Sequence, residues 1–312
     1  MDRIAALLES RYGLDVERLA TAPRGWTGET YVATARGGAR YFVKVYPKDR
    51  LPRTTIPALQ ALTELHRLGV TQVSRPVLTA DGSPCEWLGP GLLVVFEYLD
   101  AAPVPFAFGG EELGDLIARV HEQTPRVASP LERETFAVRY ADDLSRILDR
   151  ARREPASDEP RRRLRRFLDE RGSAIAEEWA TFGEVARACR AARFELVLTH
   201  GDWPFNLLRT ADGTVYLIDW DELLLAPAER DTWLADGDPA FARGYRARHR
   251  GQADDPLATA FYVYHRYFEE LYEFAGAILG DGTPERRATA LALIDGDWMS
   301  GLRARMRRGR IP

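Results

Sequence analysis

The sequence LTHGDWPFNLL (Leu198–Leu208), followed closely by YLIDWD (Tyr216–Asp221), decides the interpretation of this chain. In each stretch an apolar run leads to an aspartate, Asp202 in the first and Asp219 in the second, and Asn206 lies between them. This order predicts one carboxylate beside a hydroxyl group, with an amide and a second carboxylate available to a hard cation such as Mg²⁺. These are the groups that a phosphoryl-transfer site needs.

Composition excludes several other classes of protein. The 312 residues, 45% apolar and 29% charged, describe an ordinary globular chain that is long enough for two lobes. A net charge of −4 gives no indication of a nucleic-acid partner.

The two cysteines, Cys85 and Cys189, lack metal-ligand spacing, which favours a location of the protein in the reducing cytoplasm. We expect no signal peptide, because the first residues resemble an amphipathic helix without an apolar h-region. We also expect no membrane partner, because the longest apolar run, near Leu92–Phe96, is too short to cross a bilayer. The oligomeric state is not indicated.

The N-terminal third has the pattern of a small β-sheet. Strand-like runs at Tyr31–Ala35 and Tyr41–Tyr46 are separated by Gly37-Gly38, which predicts a hairpin. Further strands are predicted at Arg18–Thr21 and Leu92–Tyr98, and a leucine stripe predicts a helix over Thr55–Leu68. We therefore expect a strand-rich lobe over residues 1–98.

Beyond an expected linker at Ala101–Pro105, the pattern becomes mainly helical and predicts a second lobe over residues 99–312. Two short strands, Glu195–Leu198 and Val215–Ile218, carry the motifs described above. The predicted long helices are Glu111–Gln123, Glu132–Arg152, Arg161–Arg190, Pro256–Leu279 and Thr283–Arg308. The expected fold class is α+β, with an antiparallel N-terminal sheet and a larger helical C-terminal lobe.

The polar residues of the two motifs have functional and structural interpretations. Asp202 fits a base that orients a hydroxyl group, although an aspartate after a strand also caps turns. Asp219 and Asn206 fit Mg²⁺ ligands, and an asparagine is also a common turn residue. His200 is interpreted as a scaffold that hydrogen-bonds the backbone near Asp219, because phosphoryl transfer does not require a second base.

A lysine and a loop in the N-terminal lobe complete the predicted site. Lys44 interrupts a buried-type strand, so it needs an anionic partner such as a nucleotide phosphate unless it faces water at a sheet edge. The loop Arg24–Tyr31, with Thr27 and Gly28, can place backbone N–H groups over phosphates, or it is an ordinary hairpin turn.

In this order, the loop, the strand lysine and the two motifs resemble the aminoglycoside phosphotransferase and choline kinase superfamily, from about Trp26 to Trp233. The segment Leu223–Trp233 is similar to spectinomycin-type phosphotransferases. The resemblance implies a bilobal, protein-kinase-like fold and transfer of the γ-phosphate of ATP or GTP to a small-molecule hydroxyl group. Residues 1–98 would then form the nucleotide-binding lobe.

The resemblance also implies residue roles. Asp202 would be the catalytic aspartate, Asn206 and Asp219 would hold Mg²⁺, and Lys44 would contact the α- and β-phosphates. The strand end Phe96–Leu99 would form the hinge, where backbone groups at Glu97 and Leu99 receive adenine.

Two departures from the family pattern stand out. Three residues separate Asp202 from Asn206, where the family usually has four. The helix expected to offer a glutamate to Lys44 has only Glu64, late in its sequence, which leaves the partner of Lys44 open.

The acceptor is the least determined feature. Acidic side chains suited to the ammonium groups of an aminocyclitol or aminoglycoside antibiotic are Asp221, Asp231, Glu269 and Glu273. One alternative is a metabolic kinase that acts on choline, a sugar or a hydroxy amino acid. A catalytically inactive binding protein is disfavoured because Lys44, Asp202 and Asp219 are all present.

Overall fold

A computed structural model describes residues 1–22, 28–104, 110–249, 254–280 and 283–308. The chain divides into two compact units, the first formed by Met1–Arg133 with Glu195–Gln252 and the second by Glu134–Phe194 with Ala253–Pro312. The N-terminal sheet and both sequence motifs belong to the first unit. The proposed functional boundary at residue 98 stays a prediction.

Within the described residues, the N-terminal part contains an antiparallel sheet of five strands in the order β1-β2-β3-β5-β4. Helix α1 (Asp2–Tyr12) precedes it and α2 (Thr55–Arg67) follows β3. The strands are β1 (Val16–Thr21), β2 (Glu29–Ala35), β3 (Arg40–Tyr46), β4 (Glu86–Leu88) and β5 (Gly91–Glu97). The predicted hairpin is confirmed as β2–β3.

Strand β5 is buried on both faces, which explains its unbroken apolar run. Leu93 packs in one cluster with Leu8 of α1, whereas Val94 packs in another with Leu62 of α2. Lys44 of β3 lies directly opposite Val94 in the register, and so shares the face covered by α2. The fold therefore places a lysine ammonium group beneath a helix, where it must find carboxylate partners.

The rest of the first unit carries the motif strands. Its elements are β6 (Ala101–Pro103), α3 (Glu111–Glu122), β7 (Val197–Thr199), β8 (Leu207–Thr210), β9 (Val215–Leu217), β10 (Leu224–Ala226), α6 (Glu229–Thr232) and α7 (Pro239–Arg248). The strands pair as β6-β8-β9 and β10-β7. The described part of the expected linker is thus partly a strand, because Ala101–Pro103 pairs with Leu208–Thr210.

The second unit is helical throughout its described elements. They are α4 (Ala141–Arg153), α5 (Glu159–Ala191), α8 (Pro256–Leu279), α9 (Pro284–Ile294) and α10 (Asp297–Arg308). Helix α4 begins later than predicted, and the helix predicted over Thr283–Arg308 breaks between Ile294 and Asp297. In the parts of the chain the structure describes, no helix is long and apolar enough to cross a membrane. The α+β class is confirmed.

Candidate active site

The hairpin β8–β9 joins the two sequence motifs. Leu207 pairs with Leu217, and the N–H of Ile218 donates to the carbonyl of Asn206 over 2.9 Å. Asn206 and Asp219 therefore emerge at the same end of one hairpin. The sequence could not show this, because β8 was not predicted as a strand.

The loop between Asp202 and Asn206 is a short 3₁₀ turn that fixes Asn206 against Asp202. Residues Trp203–Phe205 form the turn, and the N–H of Asn206 donates to the carbonyl of Trp203. The side-chain Nδ2 of Asn206 donates to the backbone carbonyl of Asp202 at 2.8 Å and to its Oδ2 at 3.3 Å. The loop of three intervening residues thus holds the asparagine amide beside the candidate base.

His200 connects the same two motifs through its ring. Its Nε2 lies 2.9 Å from the carbonyl oxygen of Ile218, and its Nδ1 accepts the N–H of Asp202 over 3.1 Å. The hydrogen-bond network assigns the Nε2–H tautomer, which donates to Ile218. This placement agrees with the predicted scaffold role, since both ring nitrogens are used by backbone groups.

Asp231 lies inside the fold rather than at its surface. Its side chain is 1% exposed, and its oxygens accept the backbone N–H groups of His200 at 3.0 Å and Gly201 at 2.7 Å. His121 Nε2 lies 3.0 Å from the same carboxylate. Burial raises the pKa of Asp231, but the contacts with His121 and Gly201 outweigh it and the net shift is downward. This position favours support of the loop over the expected substrate contact.

Gly201 is favoured by its backbone conformation and by the side chain packed against it. Its φ of +85° is in the left-handed region, and a Cβ there would overlap the guanidinium group of Arg230. Arg230 Nη1 in turn donates to Oγ1 of Thr199 over 3.0 Å. The residue immediately before Asp202 is therefore fixed by conformation and by contact.

Lys44 is buried and bridges two carboxylates. Its Nζ lies 2.7 Å from Asp219 Oδ1 and 2.8 Å from Asp221 Oδ2. Burial lowers the pKa of Lys44, but the two carboxylates outweigh this effect and the net shift is upward. The strand lysine and the second motif therefore meet in one cluster.

The two carboxylates in this cluster differ in exposure. The side chain of Asp219 is 45% exposed and the residue adopts a φ of +60°, which is rare for a side chain other than glycine. Asp221 is 16% exposed, and Tyr46 Oη lies 2.5 Å from its Oδ1. Burial raises the pKa of Asp221, and Lys44 opposes that shift. Asp219 is thus the outward-facing member of the pair.

The other residues predicted to bind the nucleotide are Thr27, Gly28, Glu97 and Leu99. Thr27 lies outside the described residues. A Cβ on Gly28 would lie 2.5 Å from the carbonyl oxygen of Val45, so this loop end closely approaches β3.

The expected hinge lies at the end of β5. Glu97 ends this strand, and its Oε1 pairs with Arg75 Nη1 at 2.9 Å. Leu99 follows β5 and is half-buried. Their nucleotide contacts stay predictions.

The acidic residues predicted from the C-terminal helices lie in the second unit. Glu269 and Glu273 are on α8, where Glu269 Oε2 lies 3.7 Å from Arg266 Nη1. Glu273 is exposed. Their role toward an acceptor stays a prediction.

Phe205 is a candidate that the sequence reasoning missed. Its side chain is 56% exposed although it lies in the turn between Asp202 and Asn206. Its neighbours Trp203 and Pro204 are buried, so the turn directs one aromatic residue outward. The sequence offered one indication of this role, because Phe205 is an aromatic residue between Asp202 and Asn206.

The donor set near the hairpin fits Mg²⁺. Among the described residues, no group of three or more His, Cys, Asp or Glu side chains is arranged to hold a metal ion. Mg²⁺ does not need such a cage, because it keeps several waters and is commonly held by one or two carboxylates plus substrate phosphates. The outward carboxylate of Asp219 and the neighbouring amide of Asn206 meet this requirement.

The antiparallel sheet with its buried lysine, followed by the two-motif hairpin, defines a kinase-like phosphotransferase. A family model described as the phosphotransferase enzyme family matches residues 18–262, and the chain belongs to this family. The resemblance noted in the sequence is thereby confirmed, as is its class of activity, that of a small-molecule kinase with hydroxyl acceptors. No curated protein sequence matches the chain.

Solved structures share the fold at low sequence identity. Spectinomycin phosphotransferase in complex with ADP and spectinomycin is 17% identical, with a TM-score of 0.81 over 98% of each chain. A microcompartment-associated aminopropanol kinase is 19% identical, with a TM-score of 0.67 over 99% of this chain and 97% of its own. An amicoumacin kinase in complex with AMP-PNP and Ca²⁺ is 16% identical, with a TM-score of 0.62 over 97% and 93%.

Proposed function

We propose that this protein transfers the γ-phosphate of ATP or GTP, with Mg²⁺, to a hydroxyl group of a small polar molecule in the cytoplasm. The observation that carries the proposal is the contact of Lys44 with Asp219, at the end of the hairpin that also holds Asn206 beside Asp202. The lysine cation thus contacts the carboxylate of Asp219, and the hairpin connects this pair to the candidate base Asp202 through Asn206. Similar folds bind ADP or AMP-PNP, which supports a nucleotide co-substrate.

Each residue has a defined task in this proposal. Asp202 accepts a hydrogen bond from the acceptor hydroxyl and orients it toward the terminal phosphate. Lys44 binds the α- and β-phosphates through its ammonium group. Asn206 and Asp219 would hold Mg²⁺, which neutralises phosphate charge when it is bound. Since phosphoryl transfer depends mainly on positioning and charge, no further base is required.

We propose an aminocyclitol or aminoglycoside antibiotic as the acceptor. The fold similarity to a spectinomycin phosphotransferase supports this class. Asp221 and Asp231 are engaged by Lys44 and by the loop backbone, so neither is expected to contact the ammonium groups of the ligand. Phe205 adds an exposed ring that can pack on the apolar face of a cyclitol.

A metabolic amino alcohol is the second candidate acceptor. The similarity in fold to an aminopropanol kinase supports this candidate. Choline, sugars and hydroxy amino acids belong to the same alternative. A catalytically inactive binding protein no longer competes, because the chain belongs to an enzyme family.

A substrate panel tests both candidates. Release of ADP by a coupled assay is measured with Mg-ATP and spectinomycin, several aminoglycosides, aminopropanol, choline and sugars, with Asp202→Asn as the background control. The proposal predicts turnover of an antibiotic above that control, and resistance when the gene is expressed in a sensitive bacterium. Efficient turnover of an amino alcohol, with no turnover of any antibiotic, would instead identify a metabolic amino alcohol as the acceptor.

A further inference from the structure

We propose that Asp221 positions Lys44 for the nucleotide phosphates, and so replaces the carboxylate that the helix after the lysine strand was expected to supply. The inference rests on the proposed function, since it requires Lys44 to bind phosphates. It assigns to Asp221 a role different from the acceptor contact expected from the sequence.

Glu64 has a different task. It is the only carboxylate in α2, and its Oε2 accepts the N–H of Ala128 over 2.6 Å. Its Oε1 accepts the hydroxyl of Ser129 over 2.7 Å. Both oxygens therefore hold the segment that follows α3, and the partner of Lys44 comes from the second motif instead.

Asp221 is held so firmly that it can orient another group. Its Oδ1 accepts from Tyr46 Oη at 2.5 Å, and its Oδ2 accepts from Lys44 Nζ at 2.8 Å. The hydroxyl of Thr54 donates to its backbone carbonyl over 2.6 Å. With 16% of the side chain exposed, these charge-assisted hydrogen bonds are partly shielded from water. Lys44 is consequently fixed from the interior side.

The second carboxylate, that of Asp219, also contacts Lys44 but is the more exposed of the two. Asp219 is 45% exposed and lies at the outer end of the hairpin, whereas Asp221 lies beneath it. One ammonium group between two carboxylates leaves the cluster with a net negative charge, which attracts Mg²⁺. Asp219 would hold the cation when it is bound, while Asp221 keeps the lysine in place.

Calorimetry measures the affinities for ADP and for adenosine. A comparison of the two affinities distinguishes the positioning role of Asp221 from a purely structural one. Asp221→Asn is expected to weaken ADP binding about tenfold, since a charge-assisted hydrogen bond is lost, and to leave adenosine binding unchanged because adenosine lacks phosphates. Glu64→Gln is the matched control and should leave both affinities unchanged. Tyr46→Phe keeps the carboxylate but removes its orienting hydroxyl, and should weaken ADP binding by about threefold.

A double-mutant cycle completes the test. If Asp221 acts through Lys44, then Asp221→Asn should have no further effect on ADP affinity in a Lys44→Met background. An effect that persists in full in this background, or equal losses for ADP and adenosine, would overturn the inference. Thermal unfolding of each variant identifies any that fail to fold, in which case Tyr46→Phe decides.

The same measurements distinguish this inference from the proposed function. If the wild-type protein binds neither ADP nor ATP, the proposed function fails. If the wild type binds ADP and Asp221→Asn binds it equally well, the proposed function stands and the positioning role is wrong.

Discussion

The backbone N–H of Gly201 donates a 2.7 Å hydrogen bond to Oδ1 of Asp231, a residue 30 positions later in the chain. The carboxylate also receives the N–H of His200, so it fixes the backbone that leads into Asp202. A buried side chain on α6 thereby holds the backbone immediately before the candidate base.

Replacement of Asp231 by alanine should destabilise the protein and reduce its activity together. The change leaves two buried backbone N–H groups without their acceptor, which costs about 2–4 kcal/mol in the free energy of unfolding. Urea unfolding measures this cost. Unchanged stability would show that the loop does not depend on Asp231.

The same carboxylate predicts a pH dependence. The folded-state pKa of Asp231 is below its ordinary value of 3.8, so its contribution to stability is complete above that value and is lost as the pH falls through the folded pKa. The stability gap between wild type and Asp231→Ala should hold from about pH 7 to about pH 5 and narrow below about pH 4. A gap that widened on acidification would contradict the assigned direction.

Gly201→Ala should disrupt the site through two effects. The substitution strains a backbone with φ of +85°, and its Cβ overlaps the Arg230 guanidinium group. Gly237→Ala is the control, because Gly237 has a φ of +88° but a Cβ there meets no heavy atom within 4 Å in the described chain. We expect the turnover number of Gly201→Ala to fall by at least about tenfold more than that of the control. Equal losses would exclude the overlap as the cause.

Phe205→Ala should weaken binding of the acceptor but not of the nucleotide. Loss of the exposed ring is expected to raise the KM for the acceptor about tenfold and to change the KM for ATP by less than about twofold. Trp87→Ala, at an exposed position on β4, serves as the control for removing a large surface ring. A rise confined to the KM for ATP would place Phe205 on the nucleotide side.

The longer strands and most of the long helices of the fold were predictable because their patterns are local, whereas the short strands β4, β6, β8 and β10 were not predicted. Hydrophobic alternation and the Gly37-Gly38 turn identified the β2–β3 hairpin, and helical spacing identified α2 and α8. Strand β6 was missed, since its three residues gain their conformation from pairing with β8 rather than from their own sequence. The break between α9 and α10 at Gly296 was equally hidden within a helical pattern.

The residues of the candidate site also separate into those with a local sequence signal and those without one. Motif spacing was enough to single out Lys44, Asp202 and Asp219, because each interrupts or ends a hydrophobic run. The partner of Lys44 could not be predicted, since Asp221 lies at a sequence separation of 177 residues and reaches the lysine only in the folded chain. The interior position of Asp231 could not be predicted for the same reason. An acidic residue looks the same in the sequence whether its carboxylate faces a ligand or accepts backbone N–H groups.

The most direct test of the account is a single-turnover transfer of labelled γ-phosphate from ATP to an accepted hydroxyl compound by the wild type and by Asp202→Asn. We predict that the variant binds Mg-ATP with unchanged affinity and transfers phosphate at least about 100-fold more slowly, because only the orientation of the hydroxyl group is lost. Transfer at the wild-type rate by Asp202→Asn would contradict the central assignment.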